Sequence, residues 1–179
     1  MESEELPLLN LLLAKDAIRD LVLDYSIAVA DKDTELMSSL FADEANFGSY
    51  GKGPEALKEL MENTMADLEI GIILVTNHKI KFKDDITAEG EVWARCFAQN
   101  VNEGYYEQVI KYDDTYRRTS IDSSGIGVWK FEKRKHLLWF GEGKESPLIQ
   151  EPANWPSKNI GIGRIPLADP AVQKFRKKI

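Results

Sequence analysis

Between residues 8 and 31, Leu11, Ala14, Ile18, Leu21, Val22, Tyr25, Ala28 and Val29 recur at three- and four-residue spacing, while Lys15, Asp16, Arg19, Asp20 and Asp24 fall on the other side. That period predicts an amphipathic helix. Asp33 is placed to cap a second, short helix whose apolar face is Leu36, Met37 and Leu40. Phe41 to Phe47 then suggests a short strand, and Gly48, Gly51, Gly53 and Pro54 mark turns. Pro54 suits the first turn of a third helix running from Glu55 to about Leu68.

After Gly71 the period changes from helical to alternating. Ile72–Phe82 is rich in β-branched residues and predicts a strand. Ile86–Val101 sets small residues (Ala88, Gly90, Val92, Ala94, Cys96, Ala98) against Glu91, Trp93, Arg95 and Phe97. Tyr105–Thr119 and Val128–Phe140 complete the set, with turns at 83–85, 102–104 and 121–127. Long strands joined by short turns predict an antiparallel meander. Helices first and strands afterwards predict an α+β domain over residues 1–145. Residues 146–179 hold five of the seven prolines and predict an extended extension, lying along its own domain or a partner, or closing over a pocket as a lid.

Composition narrows the function. The 179 residues carry 23 basic and 30 acidic side chains, a net charge of −7, but positions 141–179 alone are net +3. An acidic body argues against nucleic acid and anionic membrane as partners. One cysteine, Cys96, excludes an intrachain disulfide, and two histidines with one cysteine make a His/Cys zinc site untenable without carboxylates. No apolar run approaches the ~18 residues of a membrane span. The acidic Met-Glu-Ser-Glu-Glu start lacks the basic segment of a secretory signal, so the expected location is the cytoplasm.

Several phrases occur in an order that resembles a known family. Tyr25 followed by Asp31-Lys32-Asp33 and Leu40-Phe41-Ala42-Asp43-Glu44-Ala45 is one. Gly51-Lys52-Gly53-Pro54-Glu55-Ala56-Leu57 and Val75-Thr76-Asn77-His78 are two more. The last is Tyr112-Asp113-Asp114-Thr115-Tyr116-Arg117-Arg118 followed by Gly127-Val128-Trp129-Lys130-Phe131 and Arg134. Together, over about residues 10–140, they resemble the SnoaL-like branch of the nuclear transport factor two superfamily. The resemblance implies a cone-shaped α+β barrel, three helices packed on a curved, mostly antiparallel sheet, with an apolar pocket at its open end. Relatives of this type include dehydratases, isomerases, a dehydrochlorinase and polyketide cyclases, and also proteins that only bind or assemble, such as dioxygenase small subunits. The resemblance therefore implies a cofactor-independent lyase or isomerase acting on a hydrophobic cyclic or polyketide-like compound, or else a non-catalytic binding or assembly module. It also implies a homodimer.

The same resemblance suggests site residues. Asp31, at the end of the first helix, matches an Asp that orients a histidine in the lyases, which raises imidazole basicity and fixes its tautomer. The matching histidine is missing, because its position is Ile73. His78 comes five residues later, so on a regular strand it faces the opposite side and reaches the site only through a bulge. His136 on the last strand is the other imidazole that could pair with Asp31. Tyr25 matches a helix-one tyrosine that donates to a substrate oxygen. The isomerase base is absent, since no carboxylate lies near Ser49. Phe47, Tyr50, Trp93, Tyr116, Trp129 and Trp139 could line a pocket or pack the core. Asp114 is expected in a cross-strand ion pair with Arg118 or Arg134, and Cys96 as buried and inert. No cofactor and no metal site is expected.

Overall fold

The computed structural model describes residues 2–101 and 104–145. The expected extension at 146–179 lies outside the described residues. The elements run α1 (Glu2–Asp31), α2 (Thr34–Ser39), a 3-10 turn (Gly48–Tyr50), α3 (Gly53–Ala66), β1 (Leu68–Phe82), β2 (Thr87–Asn100), β3 (Tyr105–Ile121) and β4 (Gly127–Lys144). The four strands form one antiparallel sheet in the order β1-β2-β3-β4. The sheet is not closed into a barrel. α1 lies across it against β1 and β4, and α2 and α3 pack on one another.

The short strand expected at 41–47 is reduced to two isolated bridges, Phe41 with Phe131 and Asn46 with Lys52. The segment is consumed by turns: the backbone N–H of Phe47 donates to Gly51 and that of Gly53 to Ala45, both at 2.8 Å. Gly53 has φ +86°, and a Cβ there would stand 3.0 Å from the Asp43 carbonyl oxygen, so glycine is required.

The junction between α1 and α2 shows how local chemistry sets the entry to the sheet. Asp33 N–H donates to Ala28 O at 2.8 Å and Lys32 N–H to Val29 O at 3.2 Å. That pair of bonds is a Schellman closure with Lys32 in the left-handed position, φ 54°. Glycine usually takes this place. Here Lys32 is buried, and its Nζ donates to the Leu68 carbonyl at the start of β1. The Asp33 side chain accepts from Leu36 N–H at 2.9 Å, as expected of a cap.

The small residues of β2 face inward. Ala88, Val92, Ala94 and Cys96 are buried with Ile18, Leu21 and Val22 of α1, Ile110, Tyr112 and Tyr116 of β3, and Trp129 and Phe131 of β4. Small side chains on the central strand let the rings of β3 and β4 lie over it. Gly90 is the extreme case, since a Cβ there would sit 2.4 Å from the Tyr116 hydroxyl. Each fully buried large side chain contributes about 1.5–3 kcal/mol from burial. The outer face is divided. One half carries Ile72, Leu74, Trp139 and Phe140, all exposed. The other carries the in-register row Lys79, Glu91, Asp113, Lys135.

Candidate functional site

Arg134 on β4 stands opposite Asp114 on β3 and donates to it from Nε at 3.0 Å and Nη2 at 2.8 Å. Both side chains are almost wholly buried. Such a fork-to-carboxylate pair is the strongest ionic geometry a protein offers. The rings of Tyr25, Tyr112 and Phe131 lie 4.5, 4.1 and 4.2 Å from the guanidinium carbon. Of the two arginines expected to pair with Asp114, Arg118 and Arg134, it is Arg134 that does so.

The pair extends into a relay. The Tyr116 hydroxyl donates to Asp114 Oδ2 at 2.8 Å and lies 3.1 Å from His78 Nε2. Tyr116 has one proton and gives it to the carboxylate, so His78 Nε2 carries the hydrogen and donates to the phenol oxygen. His78 is therefore held as the tautomer with Nδ1 free to accept. Burial is the main cause that lowers its pKa to about 4, with Arg134 and Arg19 adding to the effect and Asp114 opposing it. Burial and the adjacent Asp114 carboxylate both push the Tyr116 phenol far up.

His78 reaches the interior because of a bulge. From Ile70 opposite Gln99, β1 pairs with β2 in regular register as far as Val75 opposite Ala94, then shifts so that Asn77 stands opposite Trp93 and His78 opposite Val92. Ile73 and Val75 pack inward before the shift, and His78 and Ile80 after it. One extra residue inverts the facing of all that follows. This is the bulge that a regular strand did not predict. It brings His78 to Tyr116, not to Asp31.

Asp31 is exposed at the end of α1 and makes no hydrogen bond or ion pair with a described residue. The expected Asp31–histidine dyad is therefore not formed. His136, the other imidazole that could pair with Asp31, is exposed on β4 with its ring 5.6 Å from that of Tyr112. Partial burial lowers its pKa, so it too is neutral at pH 7.

Tyr25 is half-buried, its ring edge-on to Phe41, Tyr112 and Phe131 at 6.2, 6.3 and 5.9 Å. No described residue hydrogen-bonds the hydroxyl of Tyr25 or of Tyr112. Burial raises both phenols, while the Arg134 charge acts in the opposite direction. The two hydroxyls are thus protonated donors beside a sealed cation. Tyr112 was not singled out from the sequence as a ligand residue; its i−2 spacing from Asp114, on the same strand face, was the available signal.

Trp93 points outward, contrary to the expectation that it lines the cone. Its Nε1 donates to Glu91 at 3.1 Å, and its ring meets Trp139 at 5.1 Å on the outer face. Ala94 and Cys96 take the inner face instead. Tyr50 sits partly exposed in the 3-10 turn, and Phe47 packs on Phe41 at 5.4 Å. Tyr116 is core. Cys96 is buried with a thiol raised to about 11 by burial, which makes it inert as expected. Clefts of about 580, 500 and 420 Å³ open elsewhere: between α1 and the β1–β2 turn, beside α3, and on the outer charged face. Among the described residues there is no group of three or more potential metal ligands, and no helix is long and apolar enough to cross a membrane.

The fold has solved counterparts. A hexachlorocyclohexane dehydrochlorinase LinA-type3 from Novosphingobium barchaimii is 24% identical with a TM-score of 0.69, over 80% of this chain and 99% of that one. A scytalone dehydratase-like protein from Novosphingobium aromaticivorans is 18% identical with a TM-score of 0.62, over 79% and 97%. An NTF2-like protein with a cystatin-like fold from the same species is 21% identical with a TM-score of 0.61, over 78% and 90%. These likenesses are of fold. No curated protein sequence matches the chain. The SnoaL-like domain model matches residues 10–135. That match covers well over half of the chain, and the chain belongs to the SnoaL-like domain family.

Proposed function

We propose that this protein acts, without a cofactor, as a lyase or isomerase on a hydrophobic cyclic compound bearing a keto group. The observation that carries the reading is the pair of unbonded phenols, Tyr25 and Tyr112, held against the Arg134–Asp114 ion pair with the neutral His136 ring beside Tyr112. Donors aimed at a developing oxyanion in a partly dry site are the usual source of such catalysis. A ring ketone would place its oxygen on the two hydroxyls. His136 then takes the proton from the carbon next to the carbonyl. The C–H electron pair becomes the C=C of an enolate, whose negative oxygen the phenols stabilise. Collapse of the enolate either expels a leaving group from the β-carbon, giving a lyase, or returns a proton at another carbon, giving an isomerase. The fold relatives named for dehydrochlorination and dehydration support this reaction class.

The test is exchange of α-hydrogens of cyclic ketones in D₂O, followed by NMR. Exchange that falls by about 10²-fold or more in His136→Gln is expected, since general bases contribute 10²–10⁴-fold. Exchange unchanged by His136→Gln and by Tyr25→Phe would remove the reading.

A binding or assembly module is the second reading, and Ile73 favours it. Ile73 lies opposite Cys96 on the inner face, where the lyases of this family hold their histidine. Binding of ring compounds with Tyr25-dependent affinity but no exchange would establish it.

A further inference from the structure

A second recessed site lies away from the two tyrosines, at the end of the sheet where α1 passes the β1–β2 turn. A cleft of about 580 Å³ is bounded by Leu11 and Ala14 of α1, Phe82 of β1, and Arg118 and Trp129 of β3 and β4. A smaller cleft of about 140 Å³ shares Asn10, Ala14, Arg118 and Trp129 with it and continues past Gly127. Trp129 is buried, its ring edge-on to Phe82 at 5.7 Å. Its Nε1–H has no hydrogen-bond partner among the described residues, and it is the one buried side-chain polar atom there left so. A buried donor without an acceptor costs about 1–3 kcal/mol, so an acceptor is expected at that point.

Arg118 is the in-register partner of Trp129 and faces the same side. It makes no ion pair with a described residue. A Cβ on Gly127 would stand 2.6 Å from Arg118 Cδ and 3.2 Å from Trp129 Nε1, so the glycine keeps open the space between the arginine stem and the indole N–H. Both side chains are donors only, and nothing in the cleft returns an acceptor to them. Asp84 is occupied with the Ile86 N–H at 2.9 Å. Asp84 and Asp85 are exposed on the opposite wall, where they repel a second negative charge. Lys83, ion-paired with Glu89 at 2.9 Å, and Asn10 complete the polar lining, and Leu11, Ala14 and Phe82 are apolar.

We infer that this cleft binds a monocarboxylate with an apolar body, its carboxylate taken by Arg118 and Trp129 Nε1–H and its body laid on Leu11, Ala14 and Phe82. Volumes of this size suit drug-sized ligands. The site is independent of the Tyr25–Tyr112 reading and survives its failure.

The experiment follows the indole N–H resonance of Trp129, in the full chain labelled with ¹⁵N, as octanoate is added. The expected result is a saturable shift of that resonance. Octanol, which keeps the body but not the charge, and suberate, which carries a second carboxylate, each bind at least tenfold more weakly. Arg118→Met weakens octanoate at least tenfold and Arg118→Lys recovers part of the loss. Tyr25→Phe leaves the octanoate titration unchanged. No shift at millimolar octanoate overturns the proposal and leaves the indole to water. Equal affinity for octanoate and octanol, or an unaltered titration in Arg118→Met, overturns it as an anion site.

Discussion

Arg134 holds Asp114 through two parallel hydrogen bonds of 3.0 and 2.8 Å in a position where both side chains are almost wholly shielded from water. Desolvating both charges is costly, and the pair is kept only because geometry and neighbours are complete: Tyr116 fills a further acceptor site of the carboxylate, and three rings face the cation. The pair joins β3 to β4 beneath α1, and His78 of β1 is tied to it through Tyr116.

Removing one partner should therefore be severe. Asp114→Ala leaves a buried guanidinium uncompensated, with an expected loss of about 3–5 kcal/mol. For a domain of this size that is a fall in Tm of roughly 6–20 °C. Thermal denaturation followed by circular dichroism checks it. The double change Asp114→Leu with Arg134→Met should recover much of the loss, because it removes both charges together. Failure of either single change to destabilise would contradict the buried pair.

Gly90→Ala probes the close approach of β2 to Tyr116. The added Cβ meets a ring that is completely buried and cannot swing away. Overpacking of this kind costs about 1–3 kcal/mol. Urea denaturation should show that loss, and the effect combined with Tyr116→Phe should be non-additive, because both changes disturb one ring.

Stability should depend on pH through His78. Its folded pKa, about 4, lies below the unfolded value of about 6.5. The unfolded chain thus binds the proton more readily than the folded one between those values. Stability from this group is complete above about pH 6.5 and is lost as pH falls toward 4. Asp114, Arg134 and Arg19 all act on this imidazole, and removal of its burial in His78→Gln should flatten the slope. NMR titration should find one histidine that stays neutral to about pH 4. A midpoint near 6.5 for His78 would refute the buried, hydrogen-bonded tautomer.

Self-association is expected through the apolar half of the outer face, as a homodimer burying more than ~1,200 Å². Ile72, Leu74, Trp139 and Phe140 are exposed there together. The neighbouring row Lys79, Glu91, Asp113, Lys135 reads plus, minus, minus, plus, so a two-fold axis through it would set like charge against like. The axis should avoid that row. Light scattering should report a dimer that Leu74→Arg or Trp139→Arg converts to monomer and Lys135→Glu does not. A wild-type monomer at micromolar concentration would remove the expectation.

Asp31→Asn is expected to change neither the fold nor the α-hydrogen exchange, since the side chain is exposed and distant in bonding from both histidines. A lost activity with unchanged Tm would restore it to the site.

The order of elements was legible in the sequence because periodicity is local. The three-and-four spacing from Leu11 to Val29 needs only one face to be buried, and the small/large alternation of β2 needs only one side to be crowded. The Asp33 cap and the Asp114 cross-strand pair were likewise readable from spacing. Tertiary structure decided which way each site residue faces. A single extra residue between Val75 and Asn77 turned His78 inward, and no run of side chains near it announces a bulge. The choice of Ala94 and Cys96 over Trp93 for the inner face was open to alternation alone; the rings of β3 and β4, which need small neighbours on β2, decided it. The two phenols, the orphaned indole of Trp129 and the gap at Gly127 exist only where strands distant in sequence meet. Their chemistry belongs to the sheet's register, which many weak contacts set together and no segment sets by itself.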